Sequence, residues 1–143
     1  MADISRYNNA FKKKLATAMA FVVKEGTDKG NIEAASANHL VGYLPENAII
    51  TNAYIQVKSA SDAATTATAK LGTASGGSQI LSAANLKTAG KQGTFGTQAD
   101  TGTGTPVYLG VTYSGAATAV GEYVVVIEYL EYLKNSQELT QFS

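Results

Sequence analysis

Apolar and polar residues alternate one for one in three separate stretches of this chain, and any fold it adopts has to satisfy that period of two. In "VYLGVTY", Val107, Leu109, Val111 and Tyr113 fall on one side and Tyr108, Gly110 and Thr112 on the other. "TTATAKLG" sets Ala67, Ala69 and Leu71 against Thr66, Thr68 and Lys70. From Ile49, the odd positions Ile49, Thr51, Ala53, Ile55 and Val57 oppose Asn52, Tyr54, Gln56 and Lys58. Successive side chains of a strand point to opposite faces, so each stretch predicts a strand with its first set inward. "AMAFVVKEG" predicts another strand, stopped by Gly26, and "QILSA" a short one. "GEYVVVIEYLEYL" is apolar at both parities and is expected centrally in a sheet or covered on both faces.

The segments between these strands are rich in Gly, Ser and Thr. From Ala48 to Gly121 the charges are only Lys58, Asp62, Lys70, Lys87, Lys91 and Asp100. That composition suits short strands and tight turns, so the expected fold is all-β, a jelly-roll-like antiparallel β-sandwich. At 143 residues the chain predicts one domain. A domain of that size buries roughly 68% of its unfolded surface, enough for one core. Ile4, Tyr7, Phe11 and Leu15 recur at helical spacing, so residues 1–17 are expected as an N-terminal arm or short amphipathic helix. Residues 18–133 form the predicted sandwich and 134–143 a polar C-terminal tail. "TDKGNIEAASANH" is expected as loop. Asn85 to Pro106 is long for a loop, and loops of that length are functional or mobile.

Reactive chemistry fails residue by residue. "GTASGGS", from Gly72 to Ser78, lacks the lysine of a phosphate-binding loop and opens no helix to hold an anion. Gly76 and Gly77 instead predict a hairpin turn with positive φ. The chain has one histidine, His39, and no cysteine, which leaves neither a His-rich or Cys metal site nor a thiol. No Gly-x-Ser-x-Gly elbow accompanies His39. Glu122 and Glu128 share a strand face but stand roughly 20 Å apart along it, too far for a carboxylate pair. No catalytic residue, cofactor site or metal site is expected, and the chain is read as non-enzymatic.

Binding to partners is the remaining reading. Acidic and basic residues balance at 11 each, so neither nucleic acid nor a membrane surface is an expected partner. The N-terminus lacks a signal-peptide run, and no stretch approaches the ~20 apolar residues of a membrane span, so synthesis in the cytoplasm is expected. Arg6 and Lys12, Lys13 and Lys14 surround Ile4, Tyr7 and Phe11, which makes the N-terminal segment a candidate arm that reaches a partner. Tyr43, Tyr54, Tyr108 and Tyr132 fall on or near outward faces among few charges, as at a subunit interface. Tyr113, Tyr123 and Tyr129 share the inward parity of their strands.

The block from "LPENAIITNAYIQVKSA" through "LGTASGG" to "ILSAANLK", closed by "EYVVVIEYLEY", resembles small virion proteins of tailed bacteriophages over about Val41 to Tyr132. Some members of that group resemble capsid cement or decoration proteins. The resemblance implies a jelly-roll-like subunit on the capsid exterior, a homo-oligomer with a dimer favoured over a trimer, bridging major capsid protein subunits. It does not cover the N-terminal segment. Alternatives are a tail, fibre or head-spike component that binds a host surface, or a glycan- or ice-binding β module. The Thr-x-Thr pieces "TATAK" and "TGTGT" suggest the last but lack a regular repeat.

Overall fold

The computed structural model describes residues 17–26, 37–96, 99–115 and 120–132. The strands are β1 (Thr17–Lys24), β2 (Ala37–Leu44), β3 (Ala48–Ser59), β4 (Thr66–Gly72), β5 (Leu81–Asn85), β6 (Gly90–Gln92), β7 (Thr94–Phe95), β8 (Ala99–Asp100), β9 (Thr105–Ser114) and β10 (Glu122–Glu131). The first sheet runs β1-β10-β3-β6, with β8 also on β3, and the second runs β2-β9-β4-β5-β7. All the pairings are antiparallel. With the two-residue strands β7 and β8 set aside, successive strands from β1 to β4 pass alternately between the sheets, β5 pairs with β4, β6 returns to the first sheet, and the last two strands lie beside the first two. That is the winding of a jelly roll.

The two inner faces close on one apolar core. Leu44, Ile50, Ile55, Leu71, Ile80, Leu81, Leu86, Leu109, Tyr123 and Ile127 are all buried. Each large aliphatic side chain removed from water contributes about 1.5–3 kcal/mol, which the ordering of the chain largely offsets. The alternation foreseen for β4 and β9 holds: Ala67, Ala69, Leu71, Val107, Leu109 and Val111 are buried, and Tyr113 packs against the core. β10 lies centrally, between β1 and β3. Its inward Tyr123, Val125 and Ile127 are buried and its outward Val124 and Val126 partly so.

Four expectations need correction. In β3 the inward set begins with Ala48 and Ile50 and resumes with Ala53, Ile55 and Val57, so Ile49 and Thr51 are not core residues. The cause is an extra residue: Ile50 pairs with Tyr129 and Asn52 with Glu128, which skips Thr51. A bulge of this kind reverses the phase of the alternation. The Thr51 hydroxyl donates to the Glu128 carbonyl oxygen at 3.2 Å. Second, "ANH" is not loop, because Ala37, Asn38 and His39 open β2.

Third, in the turn between β4 and β5 only Gly76 has positive φ, at 79°. Gly72 is needed for space instead, against the Gly77 backbone, while a side chain at Gly77 would displace only the end of Gln79. A Cβ on Gly72 would lie 2.4 Å from the Gly77 carbonyl carbon, and one on Gly77 would lie 2.2 Å from Gln79 Oε1. Fourth, the stretch from Asn85 to Pro106 is threaded by β6, β7 and β8, which pair with β3, β5 and β3 respectively. Thr101 fixes its end: its hydroxyl donates to Pro45 O at 2.7 Å and accepts from Ala48 N at 3.0 Å. The first threonine of "TGTGT" is therefore spent on backbone groups. The expected N-terminal arm, with Ile4, Arg6, Tyr7, Phe11, Lys12, Lys13 and Lys14, and the C-terminal tail lie outside the described residues.

The bulge makes a direct prediction. Ile50→Ala should destabilise the protein by about 2–5 kcal/mol. Ile49→Ala should cost at most about 1.5 kcal/mol, because its neighbour and not Ile49 fills the core. Urea unfolding of both variants compares them, and equal losses would place both side chains in the core.

Candidate partner-binding surface

The second sheet carries the most exposed apolar side chains on its outer face. A bulge again decides which ones. β2 pairs Leu40 with Tyr108 and Gly42 with Val107, which skips Val41. Leu40 and Tyr43 are three apart and would face opposite ways in a regular strand. The extra residue brings them to one side, where Tyr43 is 68% exposed and Leu40 49%. Across the ladder Leu40 meets Tyr108, and Tyr43 meets Pro106. Gly72 lies opposite Tyr108 on β4, so no side chain there covers the ring. The next row, Asn38–Gly110–Lys70, brings a charge onto the sheet face, and beyond it the face continues with Thr112 and Thr68. Leu40, Tyr43, Pro106 and Tyr108 thus form an uncharged patch at one end of the face. Tyrosine with aliphatic neighbours is the composition of an interface centre.

The four outward tyrosines are not gathered in one place. Tyr43 and Tyr108 belong to this patch. Tyr54 lies on the outer face of the first sheet, beside Val126, with the Lys91 ammonium 4.6 Å from its ring centroid. Tyr132 follows β10, and its hydroxyl donates to the Asp100 carboxylate at 2.8 Å. That hydrogen bond is the main cause that raises the Tyr132 hydroxyl above its ordinary pKa. Leu40 completes the patch but was not foreseen, because it follows the segment read as loop, "TDKGNIEAASANH", and only pairing with β9 makes it part of a strand.

A buried polar cluster sits where β1 ends. The Glu25 carboxylate accepts from Ser61 Oγ at 3.0 Å and from the Tyr123 hydroxyl, and Tyr113 Oη lies 3.3 Å from Tyr123 Oη. Glu25, Ser61 and Tyr123 are all buried. Gly121 leaves room for the carboxylate: a Cβ there would lie 2.5 Å from Glu25 Oε2. A carboxylate enclosed in this way is suited to holding the two sheets in register, since a buried charge needs its hydrogen bonds met. His39, the only histidine, is half-buried on β2. Its Nε2 is buried and has no hydrogen-bond partner among the described residues. Among the described residues no three His, Asp or Glu side chains converge as metal ligands would.

Burial, followed by the charge and hydrogen bond of Glu25, pushes the Tyr113 hydroxyl well above the ordinary tyrosine value. A folded pKa raised above the unfolded value of about 10 gives stability that is complete below that pH and is lost as pH rises past it. Wild-type stability in urea should therefore hold below about pH 10 and fall as the pH is raised above it. Tyr113→Phe should fall less steeply over the same range, and parallel curves would exclude the coupling. In comparisons with known proteins, no family model, no curated protein and no solved structure matches the chain.

Proposed function

We propose that this chain is a non-enzymatic virion protein that binds the outside of a tailed-phage capsid and stabilises it by bridging major capsid protein subunits. The observation that carries a docking role is the uncharged patch of Leu40, Tyr43, Pro106 and Tyr108, which leaves two large apolar side chains in water on a small domain. The capsid as partner rests on the resemblance of Val41 to Tyr132 to small phage virion proteins. A jelly-roll body suits such a role, because a rigid pleated sheet presents a face without rearrangement on docking. On a repeating shell, many modest contacts add through multivalency, so a clamp needs no reactive group.

The patch is the surface that meets the shell in this reading. Purified chain added to expanded shells that lack it should bind to a fixed number of sites, counted by imaging. The double variant Leu40→Glu/Tyr43→Glu should bind at least about tenfold more weakly, since central aromatic anchors carry most of an interface's energy. Unchanged occupancy by the variant would remove the patch from the contact. Binding to host envelopes and not to shells would favour a tail, fibre or head-spike role instead.

A further inference from the structure

A sandwich with two open sheets has four edges, and three of them here are blunted. β6 has three residues with Lys91 at its middle, and Gly90 and Gly93 at positive φ bend the chain on either side. β7 has two residues. β2 is interrupted by the bulge at Val41. Short strands, charges and bulges are the means by which proteins keep sheet edges from pairing with other chains.

From Thr17 to Val23, β1 has none of these features. It has eight residues, with no proline, glycine or charge before Lys24. It pairs with β10 without a register shift, from Thr17↔Tyr129 to Lys24↔Glu122. It stands at the end of the first sheet, and its far edge has no ladder partner among the described residues. The side chains around that edge are apolar too. Outward, Val22 is 57% exposed beside Val124, and Ala20 lies beside Val126. Inward, Met19 and Phe21 are only partly buried against the core, as is Val41 on β2. Met19 lies over β2, its sulfur 3.6 Å from where a Cβ of Gly42 would stand. The flank between β1 and β2 is thus an apolar seam that the described residues leave half open.

We propose that β1 pairs antiparallel with β1 of a second copy about a two-fold axis at Ala20, joining the two first sheets into one. Self-complementarity selects a second copy as the occupant. With Ala20 on the axis, Ala18 meets Val22 of the second copy on the outer face and Met19 meets its Phe21 on the inner face. Small opposes large on the outside, and Lys24 falls beyond the two flanking pairs. Opposite residues of an antiparallel ladder point to the same side, so the outer strip of Val22, Ala20, Val124 and Val126 continues unbroken across the axis. The contact is isologous, the usual form of a homodimer. A stable pair needs about 800 Å² per partner, so the flank with Met19, Phe21 and Val41 closes together with the ladder. The inference gives a seam to the homo-oligomer of the proposed function, and it is tested on the isolated chain, so a failure to dimerise and a failure to dock on shells are separate results.

The chain has no cysteine, which allows a clean cross-link. Residues opposed across such an axis have Cα atoms about 4.5–5.5 Å apart, within disulfide reach. Full-length Ala20→Cys should oxidise to a covalent dimer in dilute solution, whereas Thr66→Cys, exposed on the second sheet, should not. Sedimentation should find the wild type dimeric. Ala20→Glu should dissociate at least tenfold more readily with its circular dichroism unchanged, and mixing it with Ala20→Lys should restore a one-to-one dimer. A wild type that stays monomeric throughout overturns the proposal, as does equal cross-linking at both cysteine positions. Slow amide exchange along β1 in a monomer would also overturn it, because it assigns the edge to another part of the same chain.

Discussion

Two extra residues, Val41 in β2 and Thr51 in β3, set which side chains of this protein meet water and which meet each other. A sheet has only two faces, and the chain changes face at every residue. A single unpaired residue therefore exchanges the buried and exposed sets for the remainder of its strand. At Thr51 the exchange brings Ile50 into the core together with Ala53, Ile55 and Val57. At Val41 it turns Tyr43 outward to join Leu40. The core and the candidate docking face are both consequences of where these residues are inserted.

The jelly-roll winding supplies what the bulges act on. β10, apolar at both parities along Tyr123 to Ile127, lies between β1 and β3, so its inward residues reach the middle of the core and its outward valines form a strip on the first sheet. At one end the apolar packing gives way to the Glu25, Ser61, Tyr123 and Tyr113 cluster. Such a cluster tolerates little relative sliding of the sheets, because each partner lost would leave a buried polar group unmet. The opposite surfaces differ in character. The second sheet offers a tyrosine-rich patch suited to a foreign protein. The first sheet ends in an apolar edge strand, β1, with no second ladder partner among the described residues.

Most of the strand content was legible before any pairing was known. The alternation in "TTATAKLG" and "VYLGVTY" located β4 and β9 and their inward residues, and the two-sided apolar run located the central strand. "LGTASGG" was legible as a turn from its glycines, although their division of labour was not: Gly76 turns the chain while Gly72 gives way to the Gly77 backbone. The site was legible only in part. Tyr43 and Tyr108 stood out as outward aromatics, and Pro106 shares the parity of Tyr108, but nothing local to the sequence joins that pair to Tyr43 or Leu40. Tyr54 and Tyr132, equally prominent in the sequence, lie elsewhere.

The sequence by itself determined the fold class and the absence of cysteine and of a second histidine, because composition and a period of two need no knowledge of neighbours. Tertiary structure alone decided the phase of β2 and β3, the burial of Glu25 and the place of β1 at the end of its sheet among the described residues. Phase depends on which residue a partner strand skips. Burial of a carboxylate depends on hydroxyls from Ser61 and Tyr123, far away in the chain. The place of a strand in its sheet depends on which strands pair with it, and those are far away in the chain.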